Sequence, residues 1–451
     1  MNRRTFLSKT AAATAGLTVL PGRAFARQSP NDTVNVAIIG LRGLNTGHPT
    51  WTERGRGLDH YEHLAGIKNV RITHIVDVDE RHFTTSVPYA RNKWGGDPKT
   101  ETDFRRVLEN KDVDAVTIAA PDHWHALMTI WACQAGKDVY VEKPISHNIV
   151  EGRRMIEAAR RNNRIVQVGT QARSGAVLAK AVQFVRDGGL GTIYMGKTVI
   201  NRPRDPIGVT QDGPVPTGVH YDLWMGPAPE RPFNEHRFHY YWHWLWDYGT
   251  GDLGNTAVHT LDATRWLMGK QEHPQTVYCS GGTFEAGAPT DQQTPNTQTA
   301  AYRYADGTEL LCDLRNWFSG PPEARGMFIY GSKGWMKVAD DKAQVYFGRK
   351  NDPGPVLTAD TPHVDSDLDL EGQAHFENFI AAVRSRQADT LHAPLQEGHF
   401  SSTLCHLGNI SYRLGRSLKF DGANERFVGD EEADKLLGRT YRGPYALPSG
   451  S

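Results

Sequence analysis

Short β-branched runs alternate with helix-like stretches over the first third of the chain, and this alternation is the feature that most constrains its fold. The runs are almost wholly apolar, as parallel strands buried on both faces are. Strands that alternate with helices are typical of βαβ units, so residues 31–165 are predicted to form a doubly wound domain around a parallel sheet. The predicted strands are 33–39, 70–76, 115–119, 138–141 and 165–168.

The pattern changes after about residue 166. The turn Asp306-Gly307 lies between two strand-like arms, and residues 327–338 contain a second glycine turn, so two hairpins are predicted. We therefore expect residues 166–450 to form an α/β domain with a mostly antiparallel sheet. Residues 350–371, which are polar and rich in Asp and Pro, are predicted to be a surface loop. Apolar residues at helical spacing predict helices over 375–384 and 401–414.

The N-terminus has the three parts of an export signal. The pair Arg3-Arg4 precedes a weakly apolar stretch at 11–20, and Ala24-Phe25-Ala26 matches a cleavage site. We expect residues 1–26 to be a twin-arginine signal and the protein to be exported, to the periplasm for example. The alternative is a cytoplasmic protein whose paired arginines are accidental. No later segment is apolar over the ~18 residues that crossing a bilayer requires, so no membrane insertion is expected after signal removal.

The charges of the chain balance. The sequence has 51 basic and 51 acidic side chains, for a formal net charge of zero. A balanced chain gives no electrostatic reason to expect nucleic acid or an anionic membrane surface as a partner.

A glycine turn follows the first predicted strand, where a phosphate-binding turn belongs. Set against G-x-G-x-x-G from Gly40, the later glycine positions hold Arg42 and Asn45, with Gly43 between them. Asp77 ends the second strand, where a carboxylate can accept hydrogen bonds from ribose hydroxyls and repel a 2′-phosphate. The pattern favours NAD over NADP as cofactor. The alternatives are a tight turn without ligand and a helix-capping Asp77.

Lys143 is placed at the carboxyl end of a parallel strand, within Glu142-Lys143-Pro144. Ligands bind at this end of such sheets. Burial beside a positively charged nicotinamide would lower the pKa of the lysine, and this suits proton exchange with an alcohol. Taken alone, a lysine at a strand end is more often a solvated charge.

These motifs together resemble the Gfo/Idh/MocA family of oxidoreductases over nearly all of the chain after residue 26. The motifs are the Gly40 turn, residues 121–125 (Pro-Asp-His-Trp-His), Glu142-Lys143-Pro144 and the glycine-rich segment 249–259. The resemblance implies a Rossmann domain followed by an α/β domain with a large open antiparallel sheet, through which copies of the chain would associate as a homo-oligomer. It also implies that Lys143 assists hydride transfer between a sugar carbon and nicotinamide.

The resemblance assigns further site residues. Pro121, Glu142 and His125 are expected to border the cofactor, although Asp122 or His123 could instead cap the helix that begins there. In many family members, an Asp and a His four residues apart both face the substrate. His259 matches that histidine and is the expected partner of Lys143 in catalysis, with packing at a domain interface as the alternative.

Asn255 stands where those members have the aspartate, so it can orient a substrate hydroxyl but cannot take a proton. Asp262 is a candidate for orienting His259. In the family, Gln171 and Arg173 border the substrate, and a salt bridge between domains is the competing explanation for Arg173.

An aromatic run over residues 238–248 leads into the glycine-rich segment. Aromatic faces suit the C–H faces of a pyranose, so Trp242 and Trp244 are predicted to bind sugar, with core packing or a subunit contact as the alternative. His236, His239 and His243 have no carboxylate or cysteine placed to complete a tetrahedron, and no metal site is predicted.

Export constrains the chemistry, because an exported enzyme has no free nicotinamide pool. We therefore expect a tightly held NAD that is restored in each cycle, and redox chemistry on a sugar or glycoside. One alternative is net glycoside hydrolysis through a transient keto-sugar, as NAD-dependent glycosidases perform it. Another, from a different class, is a sugar-binding or sensing protein without catalysis.

Overall fold

A computed structural model describes residues 33–41, 55–284, 289–317, 324–339, 341–359 and 370–448. The predicted signal over 1–26 and three of the predicted cofactor residues, Arg42, Gly43 and Asn45, lie outside these ranges.

The first sheet has six parallel strands in the described residues, in the order β3-β2-β1-β4-β5-β6. Every residue of β4 and β5 is buried, which explains their unbroken apolar runs. The predicted doubly wound domain is confirmed, except that β3, a short polar edge strand, was not predicted. The strands are β1 (Val34–Ile39), β2 (Val70–Val76), β3 (Lys99–Glu101), β4 (Ala115–Ile118), β5 (Asp138–Val141) and β6 (Val166–Val168).

Helices surround this sheet and cover one face of the next. Phe376, on a helix from the C-terminal part of the chain, stacks on Tyr140 of β5 with ring centroids 4.2 Å apart, so the two ends of the chain share one core. The α-helices of the described residues are α1 (Arg56–Ala65), α2 (Arg81–Trp94), α3 (Phe104–Glu109), α4 (Asp122–Gln134), α5 (Ile149–Arg161), α6 (Ala176–Arg186), α7 (Tyr221–Met225), α8 (Val258–Leu267), α9 (Leu370–Ser385), α10 (Leu395–Leu414) and α11 (Glu431–Asp434).

The second sheet has ten strands in the described chain, in the order β14-β13-β12-β11-β7-β10-β9-β8-β15-β16. Only the pairing of β7 with β10 is parallel among its ladders, and both predicted hairpins are present. The strands are β7 (Ile193–Asn201), β8 (Thr276–Gly282), β9 (Thr297–Arg303), β10 (Glu309–Arg315), β11 (Gly326–Gly331), β12 (Gly334–Val338), β13 (Lys342–Phe347), β14 (Asp352–Thr358), β15 (Leu418–Asp421) and β16 (Arg426–Phe427).

The predicted surface loop over residues 350–371 is wrong for Asp352–Thr358, which form β14 and pair with β13. An edge strand needs hydrogen bonds on one side only, so it tolerates prolines such as Pro353 and Pro355. These prolines and the polar neighbours hid the strand from a reading of the sequence.

One face of the second sheet is covered and the other is open. Ile329, Met336 and Val345 belong to the core that the sheet shares with α6, α8 and α10. The side chains that alternate with them stand on the opposite face, where Trp335 stacks on Tyr346 with centroids 4.4 Å apart. Tyr278 of β8 is 49% exposed. The expected large open sheet is therefore present.

A lobe of short elements, residues 202–257, connects β7 to α8. Its own core contains aromatic side chains, among them Trp224 and Tyr248. The lobe is joined to the end of β2, where Glu80 N donates to Gly218 O at 2.9 Å and His220 N donates to Val78 O at 2.8 Å. It contains 3₁₀ turns at Glu235–Arg237 and Tyr241–Trp244, and it ends in a π-helical turn at Leu253–Ala257.

Among the described residues, no helix combines the length and the apolar character that a membrane crossing demands.

Two glycines let α1 approach the end of β1. Gly40 has φ of +85°, and a Cβ there would lie 2.7 Å from the carbonyl of Ala119. A Cβ on Gly57 would lie 2.0 Å from Gly40 O, well inside van der Waals contact. Gly57 therefore supplies the close helix-to-strand packing of a dinucleotide-binding turn, a role that the sequence did not reveal.

We predict that Gly57→Ala destabilises the protein by about 1–3 kcal/mol, because the added methyl forces α1 away from β1. Urea unfolding followed by circular dichroism measures the change. Gly213→Ala is the matched control: nothing lies within 4 Å of its Cβ position, so we expect it to stay within about 0.5 kcal/mol of the parent. An unfolding midpoint of Gly57→Ala equal to that of the control would contradict the close contact.

Candidate active site

A cavity of about 500 Å³ opens at the carboxyl ends of β1, β2, β4 and β5. The strand order reverses at β1, between β2 and β4, which is where open parallel sheets bind ligands. The lobe and the π-helical turn form the opposite wall. The predicted residues that line this cavity are Gly40, Asp77, Pro121, His125, Glu142, Lys143, Trp242, Asn255 and His259.

Asp77 is placed to meet a ribose. Its carboxylate accepts from Leu41 N at 2.7 Å and from Asp79 N at 2.9 Å, and it lines the cavity beside Gly40. Burial opposes ionisation, but the neighbouring His82 and these amides outweigh it, so the pKa of Asp77 lies below its usual range. The N-cap of α2 is Glu80, so Asp77 is not the helix cap of the alternative interpretation. A charged carboxylate beside a glycine-walled turn fits a dinucleotide.

Lys143 bridges the two halves of the molecule. Its Nζ donates to Asn255 O at 2.9 Å and to Asn255 Oδ1 at 3.2 Å. Burial lowers the pKa of Lys143, although Glu142 and Asp122 oppose the shift. The side chain is partly exposed, and it lines the cavity. An amine of lowered pKa at this position can exchange a proton with a bound hydroxyl.

His259 lies in the same cavity wall, one helical turn after Asn255. Burial and the charge of Lys143 lower the pKa of His259 to about 3, so its imidazole is neutral at physiological pH. The suggestion that Asp262 orients His259 is wrong, because the Asp262 carboxylate has other partners. It accepts from Arg173 Nε at 2.7 Å and from Ser401 Oγ at 2.6 Å. The cavity wall therefore presents the neutral imidazole of His259 close to the Lys143 amine.

Asp122 lines the cavity, and only the alternative role of helix capping was expected for it from the sequence. Its side chain is 2% exposed and accepts from Thr250 Oγ1 at 2.7 Å, while the N-cap of α4 is Pro121. The alternative of capping by Asp122 or His123 is therefore wrong. Burial raises the pKa of Asp122 to about 7, against the effects of Thr250 and Lys143. Its position in the short connection from β4 to α4, at the ligand-binding edge of the sheet, was the available signal.

Glu142 and His125 support the strand ends around Lys143. The Glu142 carboxylate accepts from Arg56 Nε and is 3.1 Å from His60 Nε2, and the Arg56 charge with the His60 contact holds the pKa of Glu142 well below the usual range despite burial. The His125 ring spans Ala120 O and Pro144 O at 2.7 and 2.6 Å. Both predicted cofactor residues thus fix the backbone from which Lys143 projects.

Three predicted substrate residues do not reach the cavity. Gln171 Nε2 donates to Tyr140 OH at 2.8 Å, and Trp244 Nε1 donates to Asp252 Oδ2 at 3.3 Å. Arg173 is 5% exposed and forms salt bridges with Asp262 and Glu397, which belong to the same predicted domain (166–450), so these are not the salt bridge between domains of the alternative explanation. Buried polar groups must be paired, and these side chains find their partners inside the protein.

The aromatic run divides between the cavity and the lobe core. Trp242 stacks on His243 with ring centroids 3.6 Å apart, and both line the cavity. Tyr248 packs in the lobe core, as the alternative interpretation expected.

Arg204, which the sequence did not single out, links this wall to the turn that carries Asn255. Its guanidinium donates to Tyr240 OH at 2.8 Å and to Thr256 Oγ1 at 2.9 Å, and it pairs with Asp252 at 2.8 Å.

Comparison with known proteins gives two adjoining family matches. Residues 34–170 match the model of the oxidoreductase family NAD-binding Rossmann fold, and residues 208–447 match that of the oxidoreductase family C-terminal alpha/beta domain. The match confirms NAD as the predicted cofactor, and Gly40 and Asp77 in the cavity fit it.

Curated relatives are similar over part of their length. Levoglucosan dehydrogenase of Pseudarthrobacter phenanthrenivorans is 26% identical over 182 residues, 40% of this chain and 39% of the relative. Glycosyl hydrolase family 109 protein 1 of a Shewanella species (strain MR-4) is 26% identical over 209 residues, 44% of this chain and 45% of the relative. The chain thus spans less than half the length of either relative.

Solved structures share the fold. Levoglucosan dehydrogenase in complex with NADH and levoglucosan superposes with a TM-score of 0.64 at 17% identity, over 86% of this chain and 99% of that one. Aldose-aldose oxidoreductase from Caulobacter crescentus superposes with a TM-score of 0.61 at 18% identity, over 86% of this chain and all of that one. With both domains matched by the family models, the chain belongs to the Gfo/Idh/MocA family of oxidoreductases.

Proposed function

We propose that this protein is an NAD-dependent oxidoreductase of a sugar or glycoside in which Lys143 moves the proton of the reacting hydroxyl. The observation that carries the proposal is the position of Lys143 Nζ, bound to Asn255 in the cavity that Gly40 and Asp77 also line. No other lysine lines that cavity among the described residues.

The residues that would hold NAD are those of the strand ends. Gly40 allows close approach of the backbone, and the ionised Asp77 accepts hydrogen bonds from a ribose. When bound, NAD supplies the nicotinamide that accepts or returns a hydride. Everything else that the reaction needs comes from side chains: a proton acceptor, hydroxyl-orienting groups and a wall that shapes the sugar pocket.

Lys143 acts through the neutral form of its amine. Oxidation of a hydroxyl releases a proton, and a neutral Nζ takes it up while Asn255 holds the resulting ammonium. Because Asn255 is neutral, it stabilises that ammonium less than an aspartate would, so the pKa of Lys143 stays lowered. His259, neutral beside it, is suited to orient the same hydroxyl by a hydrogen bond.

A sugar is the substrate class that the far wall favours. Trp242 and His243 present stacked rings to the cavity, and flat apolar faces pack against the C–H faces of pyranoses. The names of the relatives agree, since levoglucosan dehydrogenase is named for a sugar anhydride.

A second candidate is net hydrolysis of a glycoside. Oxidation of a ring carbon to a ketone acidifies the neighbouring C–H, so a base can take that proton while the glycosidic C–O bond breaks and the leaving oxygen gains a proton. Addition of water to the unsaturated ketone and return of the hydride to its carbonyl then complete the hydrolysis. Two titratable groups, Lys143 and Asp122, line one cavity, and the raised pKa of Asp122, about 7, suits proton exchange near neutrality. The similarity to a glycosyl hydrolase family 109 protein points the same way. Release of free sugar from a glycoside without net NADH formation distinguishes this candidate.

We predict that Lys143→Met lowers the rate of hydride transfer from sugars by roughly 10²–10⁴-fold, because the proton acceptor is lost. The measurement is single-turnover reduction of NAD with a panel of sugars, followed by absorbance of the reduced nicotinamide. Lys111→Met, at an exposed lysine away from the cavity, is the control and should match the parent. Equal rates for all three proteins would remove Lys143 from the mechanism.

Asn255→Asp tests whether the neutral side chain at position 255 keeps the pKa of Lys143 low. The oxidation rate should rise with pH through the pKa of Lys143, which is lowered from 10.5. A carboxylate at position 255 favours the ammonium, so it raises that pKa and moves the rising limb of the pH–rate profile to higher pH. A limb that stays in place, with the fold intact, would mean that another group controls the rate.

We also propose that residues 1–26 direct export by the twin-arginine route and that NAD is bound before export. The support is the arginine pair with its apolar stretch and cleavage site. We expect protein purified from the periplasm of a bacterial host to release about one NAD per chain on denaturation. Mass spectrometry of the released nucleotide decides this, and periplasmic protein free of nucleotide would argue against a retained cofactor.

We propose further that copies of the chain associate through the open face of the second sheet. Phe328, Tyr330, Trp335 and Tyr346 form an aromatic group there, and such apolar surface marks interaction sites. Sedimentation equilibrium should give a homo-oligomer for the parent and a smaller species for Tyr330→Arg. A monomeric parent at micromolar concentration would refute this interface.

A further inference from the structure

A second group of metal-ligand side chains lines the cavity beside Asp77. Asp79 follows β2, His82 lies in the first turn of α2, and His239 comes from the lobe. His239 Nε2 lies 3.5 Å from Asp79 Oδ2, and His82 Nε2 lies 3.8 Å from the same oxygen. The three potential ligand atoms all lie within 4.8 Å of one another.

We propose that Asp79, His82 and His239 bind one divalent transition-metal ion, with Zn²⁺ the best match, and that the ion fastens the lobe to the first sheet. Two imidazole nitrogens and one carboxylate oxygen are a donor set that Zn²⁺ accepts. The fourth position would face the cavity, where water or a ligand oxygen can complete a tetrahedron.

The spacing of the three ligand atoms fits an ion better than it fits hydrogen bonds. A tetrahedral ion with ligands at about 2.0–2.1 Å separates its ligand atoms by about 3.3–3.4 Å. The distances of 3.5 and 3.8 Å from His239 Nε2 and His82 Nε2 to Asp79 Oδ2 are close to that separation. They exceed the 2.7–3.2 Å or so of an N–H···O hydrogen bond.

A comparison cluster elsewhere in the molecule has shorter distances between its imidazole nitrogens and its carboxylate. His273, His399 and Glu425 also place potential ligand atoms together. Their imidazoles lie 3.2 and 2.8 Å from Glu425 Oε1, and Arg153 lies 2.6 Å from it. The two imidazole distances are those of hydrogen bonds and are shorter than the separation of ligand atoms around a tetrahedral ion, so the proposal does not extend to this cluster.

The groups behind the ligands are those that metal sites use. Asp77 Oδ2 lies 3.3 Å from His82 Nδ1, which leaves His82 Nε2 directed at Asp79. A carboxylate behind a ligating histidine fixes the ring and its tautomer. Asp79 Oδ1 accepts from Arg81 N at 3.1 Å and from Arg81 Nε at 2.7 Å, so the second carboxylate oxygen is held as well.

Arg81 already places positive charge at the proposed site. Its Nη2 lies 2.6 Å from Asp79 Oδ2 and 3.3 Å from His239 Nε2, between two of the ligand atoms. The side chain is 48% exposed, so the guanidinium can turn outward into water. Arg81 is therefore a competitor of the metal ion, and its removal should tighten metal binding.

The test is isothermal titration of the chelator-treated full chain with Zn²⁺, with Co²⁺ absorption as a second reading of the ligand set. We expect one equivalent to bind, and His239→Ala to weaken binding at least tenfold. Asp77→Asn should weaken it roughly 10- to 100-fold, as loss of a supporting carboxylate does. Arg81→Gln should bind more tightly than the parent. Zn²⁺ should raise the melting temperature of the parent protein but not that of His239→Ala.

Two controls separate this site from adventitious binding. His220 pairs with Glu80 on the surface close by, and His220→Ala should leave Zn²⁺ affinity unchanged. His273→Ala should also leave it unchanged, because it alters only the comparison cluster. The proposal is overturned if the parent and His239→Ala bind Zn²⁺ equally, or if His273→Ala abolishes binding. These readouts involve no sugar turnover, so they stand or fall apart from the proposed oxidoreductase activity.

Discussion

The contact between Lys143 and Asn255 is the interaction on which the organisation of the site depends. Lys143 ends a strand of the first sheet, and Asn255 belongs to the turn that leads into the helix covering the second sheet. The amine donates to both the backbone and the side-chain oxygen of Asn255. These two hydrogen bonds join the strand ends of the first sheet to the turn on the opposite wall of the cavity.

The two carboxylates near that amine differ in pKa because they have different partners. Glu142 is surrounded by Arg56 and His60, so it stays ionised and serves as a fixed negative charge behind Lys143. Asp122 is contacted by the hydroxyl and the backbone of Thr250, and burial outweighs these contacts and raises the pKa of Asp122 to about 7. Two carboxylates near one lysine thus have different tasks, set by what surrounds each of them. The neutral Asn255 completes the arrangement, because a third carboxylate would raise the pKa of Lys143.

The elements that the sequence predicted well are those whose burial leaves a local signal. Unbroken apolar runs identified the central strands, and the Asp306-Gly307 turn identified a hairpin. The edge strands β3 and β14 were not predicted. The first is short, the second is interrupted by proline, and both bury few apolar side chains. In the site, strand-end residues such as Lys143 and Asp77 were placed correctly in the cavity. Arg173 was not, since a sequence does not say which carboxylate a buried arginine will meet across the fold. Gly57 was missed because the chain between it and Gly40 is longer than the usual motif allows.

The lobe carries the part of function that sequence reasoning reached least. Its aromatic residues serve two purposes at once, because Trp242 packs in the lobe core with Tyr248 and also lines the cavity. Arg204 ties that run to the turn of Asn255, so a change in lobe packing is transmitted to the group that holds Lys143. In the proposed reaction, the strand ends of the parallel sheet would position the groups that exchange a hydride and a proton. The lobe, built from short turns, would select the sugar. Differences in substrate among proteins of this fold are therefore expected to arise in segments like 202–257, where side-chain packing rather than backbone pairing sets the shape.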